Sequence, residues 1–146
     1  MYNTQRLFVS SVLLFLLVWT TGCGLKVWPE PRAEEDRFAW EAVSLSAGEN
    51  CLEIRATLTG AYENLARVEL ELAPRDEDCP SCPFQPQQTH VFTMNDPEIT
   101  RQGSSLTLLA CQLPETTGFR WRIVGYNVHS SLQSVPSKVM YVGEKE

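Results

Sequence analysis

The spacing in this chain best suited to chemistry is Cys79-Pro80-Ser81-Cys82-Pro83. Two thiols separated by two residues can close on each other, exchange with another disulfide, or supply half of a zinc site. Exchange requires one sulfur held as thiolate, by a helix N-terminus or a neighbouring cation. Here Asp76, Glu77 and Asp78 run up to the motif and oppose ionisation, while Pro83 and Pro86 oppose a helix after it. These local features favour a structural disulfide between Cys79 and Cys82, with thiol-disulfide exchange and metal binding as the alternatives.

Other candidates are sparse. His90 and His129 are the only histidines, and neither stands at a ligand spacing from the other or from a cysteine. Ser130, Ser131, Ser134 and Ser137 cluster without a Gly-x-Ser-x-Gly elbow, which reads as loop. Glu69 and Glu71 lie two apart, as a glycosidase pair could, but strand alternation makes a solvated face the expected reading. The sequence predicts no catalytic residues, no metal and no cofactor, and a chain that is not an enzyme.

One domain must position these residues. The chain has 146 residues, too few for two full domains of ordinary size. Its 18 acidic and 12 basic side chains give a formal charge of -6, which argues against a nucleic-acid partner. Basic residues are scattered, and only Arg120 and Arg122 share a strand face, so no basic stripe can track phosphates.

Beyond Phe38 the apolar pattern has period two. Leu52, Ile54, Ala56 and Leu58 alternate with polar residues, as do Val68, Leu70 and Leu72. Further strands are expected over 40–46, 89–94, 105–113, 119–128 and 138–142, separated by turn signals such as Asn95-Asp96-Pro97, Gly103 and Pro114. About seven short strands predict an all-β, two-sheet sandwich. Leu52, Ile54, Val68, Leu70, Phe119, Trp121 and Ile123 are its expected core.

The run Gly118-Phe119-Arg120-Trp121-Arg122-Ile123-Val124-Gly125-Tyr126-Asn127, followed by Ser134-Val135-Pro136-Ser137, narrows the fold. It resembles strands F and G of fibronectin type III domains: Gly, aromatic, any residue, aromatic, Arg-Val-x-Ala-x-Asn, then Ser-x-Pro-Ser. The resemblance implies a fibronectin type III-like sandwich, with immunoglobulin-like topology as the alternative. In that strand order Gly125 permits close sheet packing, and Pro136 sits on an edge where no donor is needed. Strands B and E are then antiparallel neighbours, which implies a disulfide between Cys51 and Cys111; two free thiols are the alternative. Arg120, Arg122 and Tyr126 would share the outer face of strand F as a binding patch for sugar or peptide. An exposed aromatic platform from Trp28, Trp40, Tyr62 or Tyr126 would instead suit a cell-surface carbohydrate-binding module.

The first residues carry a separate signal. Arg6 precedes an apolar run from Leu7 to Trp19 and the small residues Thr20-Thr21-Gly22 before Cys23, the layout of a signal peptide. That run is shorter than the ~20 residues that span a bilayer. The residues before Cys23 resemble the lipobox of bacterial lipoproteins, in which the cysteine receives a diacylglycerol and becomes the mature N-terminus. Gly24-Leu25-Lys26 is similar to the start of many small proteobacterial lipoproteins, and by the enterobacterial sorting rule Gly24 implies the outer membrane. Pro29, Pro31 and the charged cluster from Glu30 to Arg37 predict an extended tether, with a short helix over 33–40 as the alternative. The expected organisation is thus a signal peptide over 1–22, a lipidated N-terminus and tether over 23–37, a sandwich over 38–143 and a tail over 144–146. The expected partners are a membrane, through palmitate-like chains on Cys23, and an envelope protein or polysaccharide in the periplasm or at the surface.

Overall fold

The computed structural model describes residues 30–48, 51–74, 82–111 and 118–143. A compact unit begins at Pro31. It is all β, as the alternation predicts. The strands are β1 (Phe38–Ala47), β2 (Cys51–Gly60), β3 (Leu65–Pro74), β4 (Gln88–Thr93), β5 (Ile99–Gln102), β6 (Ser105–Cys111), β7 (Gly118–Asn127), β8 (Val135–Pro136) and β9 (Met140–Gly143). One 3₁₀ turn, Tyr62–Asn64, joins β2 to β3.

Two antiparallel sheets form. One has the order β1-β2-β6-β5, the other β4-β3-β7-β8 with β9 also on β7. In sandwich lettering these are A-B-E-D and C′-C-F-G, the arrangement of an immunoglobulin-like or fibronectin type III-like domain. All seven expected core residues are buried, and Phe38, Leu58, Leu65, Leu106 and Leu108 join them.

Two interruptions of period two in the sequence become bulges. Phe38 and Trp40 face the core, as do Val43 and Leu45, so the inward phase slips by one between Trp40 and Val43. The register of β1 on β2 shifts there, leaving Glu41 as the extra residue. Leu65 and Val68 show the same slip on β3, and the register against β7 shifts between Leu65 and Arg67. Each bulge restores the apolar side chains to the core face.

Among the described residues there are nine strands where about seven are expected. β5 falls between the strands expected over 89–94 and 105–113, where its residues, Ile-Thr-Arg-Gln, carry one apolar side chain and no alternation. The last expected strand, over 138–142, forms as β9 from Met140, and a further short strand precedes it: β8 pairs Val135 and Pro136 with Gly125 and Val124. Between them Ser137 repairs the ladder, because its N–H donates to the Ile123 carbonyl at 2.8 Å and its Oγ accepts the Ile123 N–H at 3.1 Å. Pro136 lies on the edge strand of its sheet, where its missing donor leaves no gap.

Gly125 faces inward opposite the aromatic pair of β1. A Cβ there would stand 2.7 Å from the Phe38 ring and 2.8 Å from the Trp40 ring. The two rings pack edge to face with centroids 6.0 Å apart. Trp40 also donates its indole N–H to the Val135 carbonyl at 2.7 Å, tying β1 of one sheet to β8 of the other.

The described end of the expected tether is not extended. Arg32 to Asp36 forms a turn in which the Asp36 carboxylate accepts the Arg32 N–H at 2.8 Å. The Asp36 carbonyl accepts from two amide side chains, Asn64 at 3.1 Å and Asn127 at 2.7 Å. The chain therefore enters the sandwich at a fixed point. The alternative helix over 33–40 does not form, since Phe38 already begins β1.

Candidate functional site: the outer face of the five-stranded sheet

Strand alternation sends Arg67, Glu69, Glu71 and Ala73 of β3 outward, away from Val68, Leu70 and Leu72. Register sets them opposite Tyr126, Val124, Arg122 and Arg120 of β7, in that order. The three residues expected to form a patch, Arg120, Arg122 and Tyr126, do lie on one face. Each is engaged there by a neighbour.

Arg122 donates Nε to Glu71 Oε2 at 2.5 Å, and both side chains are largely shielded, at 28% and 12% exposure. Tyr126 donates its hydroxyl to Glu69 Oε2 at 2.8 Å, while Arg67 reaches Glu69 Oε1 at 3.3 Å and lies over the Tyr126 ring at 4.0 Å. Burial pushes the Tyr126 phenol above its ordinary range; the Glu69 hydrogen bond and charge add to this, and Arg67 opposes it. Glu69 and Glu71 are thus paired carboxylates and not a solvated face. Both oxygens of Glu69 and Oε2 of Glu71 are committed to structural partners.

Arg120 differs from its neighbours. It is 8% exposed on a face that alternation would leave in water, because the segment Cys82–Phe84 lies across it. Its Nη1 donates to the Cys82 carbonyl at 3.3 Å, and Phe84 offers its ring to Arg122 at 4.8 Å and to Arg120 at 5.9 Å. The Arg120 Nε is buried and has no hydrogen-bond partner among the described residues. Beside it opens a pocket of about 400 Å³ lined by Ala73, Pro74, Cys82, Pro83, Gln85, Gln87 and Arg120.

On the other sheet, Cys51 and Cys111 are cross-strand partners of β2 and β6 and form a disulfide, with Cα atoms 4.1 Å apart. It joins two strands within one sheet, on the outward phase expected for both cysteines. Cys82 is also disulfide-bonded. Its expected partner Cys79 lies outside the described residues, as do Cys23 and Trp28. Of the aromatic platform candidates, Trp40 and Tyr62 are half-buried against the core, and Tyr126 is half-buried beneath Arg67. His129 lies in the loop after β7 with its backbone N–H on Asn127 Oδ1 at 2.9 Å, and His90 lies on β4. Among the described residues no three His, Cys, Asp or Glu side chains converge as a metal site would require.

The sequence reading missed Phe84 and Ala73. Phe84 carries no local signal in a proline-rich loop. Ala73 does carry one: it follows Arg67, Glu69 and Glu71 on the outward phase and breaks the charged run at the position facing Arg120. No protein-family model and no curated protein matches this chain.

Proposed function

We propose that the chain is a non-catalytic interaction or spacer module, anchored to the bacterial envelope through lipid on Cys23, at the outer membrane rather than the inner. The observation that carries the anchor is the succession of one basic residue, a short apolar run, small residues and Cys23. Each buried acyl methylene contributes ~0.8 kcal/mol, so two or three chains hold a protein at a bilayer without apolar protein surface. A sandwich whose Glu69 and Glu71 are held across strands by Tyr126 and Arg122, and whose chain enters at a fixed point at Asp36, suits presentation of a surface better than turnover.

The test is metabolic labelling of the native chain with an alkyne fatty acid, with intact mass measured after detergent extraction. Label on a chain beginning at Cys23, lost together with membrane retention in Cys23→Ser, is the expected result. An unlabelled protein that still fractionates with membranes overturns the anchor. Free thiols at Cys79 and Cys82 in the same mass measurement would redirect the function to thiol-disulfide exchange.

A further inference from the structure

From Arg120 and the pocket beside it, we infer that the outer face of the five-stranded sheet holds a binding site for a single carboxylate group. This rests on the reading of that face as a contact surface, and does not depend on the lipid anchor. A guanidinium carries its charge at every accessible pH, and burying one without a carboxylate or a full set of acceptors is unfavourable. Arg120 is nine-tenths buried, gives one described hydrogen bond, to the Cys82 carbonyl, and leaves its buried Nε without an acceptor.

Its surroundings show why it lacks one. Across β3 and β7 the outward pairs read Arg67 with Tyr126, Glu69 with Val124, Glu71 with Arg122, and Ala73 with Arg120. The first two arginines, Arg67 and Arg122, have glutamates, Glu69 and Glu71, within ion-pair distance. Arg120 faces a methyl group, and no described carboxylate pairs with it. Space that a glutamate would occupy is left as the pocket of about 400 Å³. Gln85 and Gln87 on its wall bring amides able to donate to a second carboxylate oxygen, and Pro74, Pro83 and Ala73 give an apolar wall for a short carbon skeleton. A planar carboxylate matches the guanidinium better than a spherical anion does, because two parallel N–H donors meet two oxygens.

A carboxylate can arrive on a peptide terminus or on an acidic sugar. The test uses the full-length chain in detergent, labelled at arginine nitrogen, and follows the Arg120 Nε–Hε resonance. The probes are N-acetylalanine against its amide, and galacturonate against galactose. Saturable movement with either acid, and none with its neutral counterpart, is the expected result; which acid binds more tightly tells peptide from sugar.

Arg120→Gln should abolish the effect, but it also removes a buried contact. Ala73→Glu is therefore the decisive variant. It supplies an internal carboxylate opposite Arg120 and, in a chain that still melts cooperatively, weakens the acid at least about tenfold by occupying the site. The proposal is overturned by no movement with either acid, by equal movement with chloride or sulfate, or by undiminished binding in a folded Ala73→Glu chain. Binding seen only after Asp76, Glu77 and Asp78 are changed to their amides also overturns it, since the site would then be filled by this chain's own loop. None of these outcomes bears on Cys23, so failure here and failure of the anchor remain distinct.

Discussion

Trp40 reaches from β1 to the carbonyl of Val135 on β8, and this 2.7 Å hydrogen bond joins the outer strands of the two sheets on the side where both sheets end. The indole also packs at the rim of the core beside Phe38. Trp40→Phe keeps an aromatic ring beside Phe38 while removing the donor and part of the ring. It is expected to lower unfolding free energy by about 1 kcal/mol in a denaturant titration, with an unchanged denaturant slope.

Gly125→Ala tests the close approach of β7 to the same ring pair. The added methyl would meet Phe38 at 2.7 Å and Trp40 at 2.8 Å, too near for either ring to stay in place. Overpacking of this kind costs about 1–3 kcal/mol. A smaller partner in the double variant Gly125→Ala, Phe38→Leu should recover part of the loss, which a thermodynamic cycle would read as coupling.

Removing the Cys51–Cys111 bond frees a separation of 60 residues in the unfolded chain. The chain-entropy estimate is about 4 kcal/mol, so Cys51→Ser with Cys111→Ser is expected to lower the melting temperature steeply. Because the bond lies on the outward side of one sheet, the core should refill without rearrangement. Circular dichroism of the double variant below its transition should therefore match that of the parent.

Tyr126 sets a dependence on high pH. Its phenol is held above the ordinary value of 10.0, first by burial and then by Glu69, so the folded state keeps this proton more tightly than the unfolded state. That contribution is complete below the unfolded value and is lost as pH climbs through the folded one. Stability should fall above about pH 10, and Tyr126→Phe should flatten the fall. Phenolate absorbance during alkaline titration should show a step displaced upward from the ordinary range that Tyr126→Phe removes.

Much of the fold was legible because its central strands are half-buried and alternate over most of their length. Leu52 to Leu58 and Val68 to Leu72 show their inward faces directly, and the predicted Cys51–Cys111 bond follows once β2 and β6 are neighbours. Alternation fails to show what covers an outward face. It sends Arg120 to solvent, and only the placement of Cys82–Phe84 reveals that the arginine is buried. Glu69 and Glu71 were legible as outward-facing, but their partners depend on the register of β3 against β7, which periodicity leaves open. β5 and the break at Ser137 were hidden for a related reason. Short edge segments bury too little to imprint a pattern.

The double acceptance by the Asp36 carbonyl has a mechanical side. A pull on the chain ahead of Asp36 does not load β1 alone: Asn64 hands part of the tension to the 3₁₀ turn before β3, and Asn127 hands part to the end of β7 in the opposite sheet. Both side-chain bonds must yield before Phe38 can be peeled from its partner Gly60. A domain drawn away from whatever holds its N-terminus would thus resist as a two-sheet body, with strain spread across the sandwich before any single strand is unzipped.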